Sequence, residues 1–225
     1  MKNFYIRGIL ANLLTFAILL AFLFIPAGTL SYWQAWVFLA VFAVSSQALG
    51  IYFLMHDRKL VERRMKIGPV AEQRPAQKII SSLFMLGFLA FLVLPAMAHR
   101  YGWSPVAPGL SIFADAIVVL SFGLFFLVMK SNSYAASTIQ VEEGQPVVST
   151  GPYAYVRHPM YSGALLLLAA MPLALGSWVS VLLVVPFLPV LVWRILDEEE
   201  FLRKRLPGYA EYMRQVRYRL VPQVW

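Results

Sequence analysis

The stretch Tyr161–Trp193, YSGALLLLAAMPLALGSWVSVLLVVPFLPVLVW, decides how this chain is built. Its 33 residues contain no Asp, Glu, Lys or Arg. A bilayer core of about 30 Å takes about 20 helical residues, so the run is long for one crossing and short for two. Pro172, Gly176, Pro186 and Pro189 interrupt it, and Gly176-Ser177 has turn chemistry at its middle. Two helices of about 16 residues, each reaching about 24 Å, would make a thin but workable hairpin.

Upstream, Gly8–Ala27 and Trp33–Met55 are long enough to span, separated by a turn with Pro26, Gly28 and Ser31. Ile79–Ala98 and Leu110–Met129 are two more spans, joined across the short Tyr101–Gly109 connection. Met1–Arg7 is basic like a signal peptide. The apolar run after it exceeds the usual length and lacks a small-x-small cleavage site, which predicts an anchor that stays.

Charge asymmetry chooses between five and six spans. Six spans place Met1–Arg7, His56–Lys78, Lys130–Arg157 and everything from Arg194 on one side. Of the 19 Lys and Arg residues, only Arg100 then lies on the other. A single span at Tyr161–Trp193 would export the basic tail. The positive-inside rule therefore predicts an all-α, polytopic membrane bundle of six helices, with both termini cytoplasmic. Residues 1–130 are expected to form a four-span region, and 131–225 a second region that holds the long polar segment, the hairpin and the basic tail. Asp115, inside a span near its non-cytoplasmic end, is expected to be a snorkelling or polar-paired structural residue.

Composition excludes other classes. Of the 225 residues, 60% are hydrophobic and 13% charged, and the mean hydropathy is +0.69. Soluble domains carry about 45–50% apolar and about 25% charged residues, so this chain cannot cover a water-facing surface. Disorder is excluded by the same numbers. With no cysteine, disulfides, thiolate zinc sites and thiol catalysis are out, and no metal site is expected. The net charge of +8 sits in the gaps between apolar runs, the footprint of anionic lipid headgroups and not of nucleic acid. In the 56–78 loop, Arg58, Lys59, Arg63, Arg64 and Lys66 surround Leu60, Val61 and Met65, a pattern expected of an interfacial helix or a purely orienting segment.

Two polar clusters flank the hairpin. The first is Gly151-Pro-Tyr-Ala-Tyr-Val-Arg-His-Pro-Met-Tyr-Ser-Gly163. Read as a span start, it puts Arg157 at the headgroups, Pro159 in the first turn and tyrosines in the aromatic belt. Read as a site, it gathers donors and rings beside a helix start. The second is Trp193-Arg-Ile-Leu-Asp-Glu-Glu-Glu-Phe-Leu202. Arg194 and Glu198 share a helical face and could pair, and Asp197–Glu200 could begin a new helix. Four adjacent acids bury badly, so most must face water or cations. The hairpin brings both clusters to the same membrane side.

These residues carry a family resemblance. Gly151-x-Tyr153, Arg157-His158-Pro159-x-Tyr161-x-Gly163, Arg194-x3-Glu198-Glu199-x2-Leu202, Tyr209-x2-Tyr212 and Pro222 resemble the isoprenylcysteine carboxyl methyltransferase family, within a wider group that includes phospholipid methyltransferases. The likeness covers about the last 90 residues. It implies S-adenosylmethionine as methyl donor, held in a cytosolic pocket under the C-terminal segment, and a lipophilic or prenylated acceptor entering from the bilayer. Position by position it implies cofactor contacts from Tyr153, His158, Pro159, Met160, Tyr161 and Glu198. The stretch Gln145, Pro146, Val147 and Val148 would contribute through backbone and apolar packing, and Arg194 would face the acceptor. Thr138 stands where some members carry a cofactor-binding amide, with Gln140 the alternative. The segment between Leu202 and Tyr209 is one residue shorter than in eukaryotic members.

The residue types suit that chemistry. A sulfonium with amino and carboxylate groups needs acceptors, donors and π-faces: Glu198 for the ammonium or ribose, His158 for the carboxylate, Tyr153 and Tyr161 for the cation or adenine. A carboxylate acceptor, held by Arg194, is already ionised and needs no base; an amine would need one, with His158 or a Glu as candidates. A phospholipid amine or a small thiol is the alternative acceptor. A transporter subunit is the competing class, but transporters place ionisable groups near the midplane, and the first two spans have none. Tyr209, Tyr212, Met213, Val216 and Leu220 recur at three or four, predicting an amphipathic surface helix that lids the pocket and hinges at Pro207-Gly208.

Overall fold

The structure, a computed structural model, describes the backbone of residues 2–225 and the side chains of residues 12–225. The expected placement of the basic Met1–Arg7 side chains lies outside the described residues. The rest is a polytopic helical membrane bundle. Its helices are α1 (Lys2–Ala27), α2 (Trp33–His56), α3 (Arg58–Arg64), α4 (Pro75–Tyr101), α5 (Pro108–Ser131), α6 (Pro159–Ala174), α7 (Val184–Arg205) and α8 (Tyr209–Gln215). Among the described residues, four helical segments are long and apolar enough to span: α2, α4, α5 and Val179–Arg205. Asn12–Ala27 and Pro159–Ala174 are shorter apolar helices. Proline opens α4, α5 and α6, where a missing N–H costs nothing.

The ambiguous stretch folds as the hairpin. Its first limb, α6, has 16 residues. The chain reverses at Gly176, whose φ of 78° is left-handed, and an added Cβ there would stand 3.0 Å from the Gln34 amide. A 3₁₀ turn over Val179–Leu183 leads into α7. The second limb does not stop at the membrane edge. No Gly or Pro falls between Val190 and Leu206, so α7 runs unbroken to Arg205. The Asp197–Glu200 acids therefore lie within a helix, which corrects the expectation of a fresh N-terminus.

Helix α5 packs along α6, α1 along α4 and α2 along α5. The α5–α6 approach needs a small residue: a Cβ on Gly163 would come within 2.7 Å of the Phe125 ring. The shared core includes Leu23, Tyr32, Phe38, Phe91, Leu92, Val118, Met171 and Leu175. Tyr32 closes its far end by donating its hydroxyl to the Leu175 carbonyl at 2.5 Å. Leu13, Ile25, Val44, Ile51, Phe113, Leu120 and Val185 remain exposed on the outside of the bundle, as a lipid-facing surface requires. Asp115 is buried, and neither of its carboxylate oxygens has a hydrogen-bond partner among the described residues. It neither snorkels nor pairs.

Two segments make contacts beyond those the sequence predicts. In the 56–78 loop, Leu60 is fully buried, packed with Phe53 and Met129 against Val61, Phe126 and Met160. The basic side chains reach protein partners: Arg63 grips Glu142 through two 2.6 Å contacts, and Arg74 meets Asp197 at 2.7 Å. Leu60 is thus turned onto the bundle, while Met65, Ile67 and Val70 stay exposed and leave the segment an outward apolar surface. At the other end, α8 stops at Gln215, and Val216–Trp225 turns back over the site. Tyr209, Tyr212 and Val216 pack on Val141, Val147 and Tyr153, while Leu220 joins Leu191 and Ile195. Leu220 therefore lies beyond the helix, and the stripe covers protein.

Candidate active site

One cavity of about 950 Å³ lies where the loops meet the ends of α4–α7, within the range typical of small-molecule sites. Its walls include Thr138, Gln140, Gln145, Val147, Val148, Tyr153, His158, Pro159, Met160, Tyr161, Arg194 and Glu198. Every candidate site residue thus borders a single space, although the residues come from the 131–158 loop, the start of α6 and the far end of α7. Leu206, Tyr209 and Tyr212 also border it, so the tail contributes one wall. The opposite end is apolar and lies among the spans, with Phe84, Phe88, Phe125, Leu167, Phe187 and Leu191.

The acidic run of α7 is resolved by helical geometry. Successive residues turn by about 100°, so four adjacent acids point four ways. Asp197 accepts from Arg74 at 2.7 Å and from Gln77. Glu198 points to the cavity and accepts from the Tyr161 hydroxyl at 2.6 Å. Glu199 is buried between Arg157 at 2.7 Å, His158 at 3.1 Å and Arg219 at 3.0 Å. Glu200 is solvent-side, beside Lys204.

Arg194 does not pair with Glu198. It is 5% exposed, donates to Glu72 at 2.7 Å, to Gln77, to the Tyr161 hydroxyl at 3.0 Å and to the Ser137 carbonyl at 3.3 Å. Tyr161 links the two: it accepts from Arg194 and donates to Glu198. Glu72 and Gln77, both buried, were missed in the sequence because they sit in a loop and helix start that read as membrane orientation. The signal was there: an uncharged amide and an acid at the mouth of a span need polar partners.

The first cluster is a structural lock as well as a wall. Arg157 is buried at 6% exposure, pairs with Glu199, and donates to the Val216 and Arg217 carbonyls at 2.8 Å. Backbone bonds from Arg157 to Tyr218 and from His158 to Arg219, each 2.9 Å, tie the tail to it. Arg157 is therefore not a headgroup anchor. His158 stacks 5.7 Å from Tyr161, with Nε2 on Glu199. Tyr153 takes a 3.1 Å bond from Asn132, and its carbonyl accepts from Tyr212 at 2.8 Å. Burial pushes the Tyr153 phenol up to about 12, so it stays protonated at neutral pH and acts as a donor or a ring surface.

The residues present fit a donor with ribose and amino-acid groups. The Tyr209 hydroxyl is buried on the cavity wall without a partner, and a buried polar atom in that state is a place for a ligand group. Glu198 makes no ion pair among the described residues, so its charge is open to a cationic group.

The sequence model of the phospholipid methyltransferase family matches residues 110–207. A curated relative, the Delta(14)-sterol reductase of Mus musculus, is 33% identical over 91 residues. That match covers 39% of this chain, and the chain covers only 22% of the reductase's length. From Leu110 to Pro207, the range that holds Thr138 through Glu198, the chain is similar to a family of membrane methyltransferases.

Proposed function

We propose that this protein is an S-adenosylmethionine-dependent integral membrane methyltransferase acting on a lipophilic acceptor, most specifically the carboxylate of an isoprenylcysteine-like molecule. The carrying observation is the single cavity with a polar end under α8 and the tail and an apolar end among α4–α7. The family match over 110–207 supports methyl transfer.

Glu198, Tyr153, Tyr161 and Tyr209 would hold the donor, with Val147 and Val148 packing beside it and Thr138 or Gln140 at its edge. Bound there, S-adenosylmethionine supplies an electrophilic methyl group. The chain's own part is alignment and exclusion of water. Leu206, Tyr209 and Tyr212 close the polar end, and Phe84, Phe88 and Phe187 give the acceptor's apolar tail a dry path. No side chain needs to act as a base for a carboxylate. His158, engaged with Glu199, and Glu198, engaged with Tyr161, are better arranged to position than to abstract a proton. Four of the five N–H groups of Arg194 are engaged by Glu72, Gln77, Tyr161 and Ser137, so its part is to hold Tyr161 and through it Glu198.

The acceptor class is tested with labelled S-adenosylmethionine and purified protein in nanodiscs. N-acetyl-S-farnesylcysteine should be methylated, while phosphatidylethanolamine and small thiols should not. Labelling of phosphatidylethanolamine alone would replace the carboxylate reading with an amine one.

A further inference from the structure

The charged groups bordering the cavity are Arg64, Arg157, His158, Arg194 and Glu198. Two of the three arginines have ion-pair partners within the protein, Arg157 in Glu199, which it shares with Arg219, and Arg194 in Glu72. Arg64, the last residue of α3, is different. Its guanidinium makes one hydrogen bond, Nη1 to the Ala135 carbonyl at 3.0 Å, and no ion pair among the described residues. A guanidinium has five N–H donors, so most of this fork is free. Burial pulls its affinity for a proton below the ordinary arginine value, and the nearby Tyr153 and Tyr161 offset this only in part. Arg64 is half-buried, and a partly desolvated cation without a counter-ion gains from an arriving anion.

Among the described residues, the cavity therefore presents one arginine without an ion pair, Arg64, and one acid without an ion pair, Glu198. Tyr153 lies within electrostatic reach of both. A ligand with a carboxylate and an ammonium on one short carbon matches that pair of charges. We propose that Arg64 is a donor-binding residue, receiving the α-carboxylate of the methyl donor while Glu198 takes its ammonium. This rests on the methyltransferase reading and assigns the donor carboxylate to α3, a segment outside the 110–207 family match. His158, whose Nε2 is engaged by Glu199, is thereby relieved of that role.

The test compares two ligands on full-length protein in detergent by calorimetric titration. S-adenosylhomocysteine carries the carboxylate; 5′-methylthioadenosine lacks it. Arg64→Gln should weaken S-adenosylhomocysteine about 10- to 100-fold, the scale of a lost charge-assisted contact, and leave methylthioadenosine within about twofold. Arg64→Lys keeps the charge but not the fork, and should weaken S-adenosylhomocysteine about three- to tenfold without touching methylthioadenosine. If Arg64→Gln does not fold, the lysine variant decides alone. Equal losses for both ligands would mean that Arg64 acts through loop shape, and no loss would mean that it does not touch the donor; either overturns the proposal. Unchanged donor affinity with a raised KM for N-acetyl-S-farnesylcysteine would also overturn it, by moving the anion to the acceptor. Wild-type protein that binds neither ligand would instead sink the methyltransferase reading, and the Arg64 assignment with it.

Discussion

At the scale of the residue, the account turns on which acid of α7 does what. Glu198 has one hydroxyl partner and a cavity in front of it. Glu198→Gln should therefore cost a charge-assisted contact worth about 1.5–3 kcal/mol, roughly 10- to 150-fold in S-adenosylhomocysteine affinity, with little change in melting temperature. Glu72 should behave in the opposite way. Glu72→Gln leaves Arg194 buried and without a counter-ion, a change that costs about 3–5 kcal/mol of stability in comparable buried pairs. Thermal unfolding and titration of both variants separate the roles, and Arg194→Lys should resemble Glu72→Gln. A destabilised Glu198→Gln with wild-type affinity would contradict the division. The sequence put Arg194 and Glu198 on one face, which the structure keeps. It could not name Glu72, because 122 residues separate that acid from the arginine it meets and helical spacing speaks only to neighbours in the chain.

At the scale of the element, the tail is held by charge more than by length. Helix α8 has seven residues, too short to be stable by itself. Its position depends on Tyr209, Tyr212 and Val216 against Val141, Val147 and Tyr153, and on Arg157 reaching the Val216 and Arg217 carbonyls. Truncation after Leu206 removes that wall and leaves Glu199 without Arg219. It should lower S-adenosylhomocysteine affinity by at least tenfold, read by the same titration; unchanged affinity would reduce the tail to an anchor. The step of three or four from Tyr209 to Leu220 was legible, and it correctly marked an apolar face. What it could not give was the helix end. Arg157 and His158 offer backbone N–H groups to Tyr218 and Arg219, and this long-range pairing overrides the local periodicity. The 56–78 loop shows the same limit: basic residues around Leu60 fit lipid or protein equally well, and Glu142 and Asp197 supplied the protein partners.

At the scale of the whole molecule, six apolar helices and the Gly176 reversal follow from composition, span length and turn chemistry, so the bundle was readable before any coordinates. The same charge count predicts the orientation, with both termini cytoplasmic. A reporter fused after Trp225 should be active only when it functions in the cytoplasm, and activity restricted to the periplasm or lumen would invert the topology. Convergence of the site was less legible, since it needs α3, α4, the 131–158 loop, α6, α7 and the tail to meet around one space. The central claim is that this space binds a methyl donor. Calorimetric titration of the full-length protein in detergent with S-adenosylhomocysteine tests it most directly. Saturable one-to-one binding at micromolar concentration, weakened at least tenfold by Glu198→Gln, is the expected result. No heat of binding up to high micromolar concentration in protein that still unfolds cooperatively would contradict it.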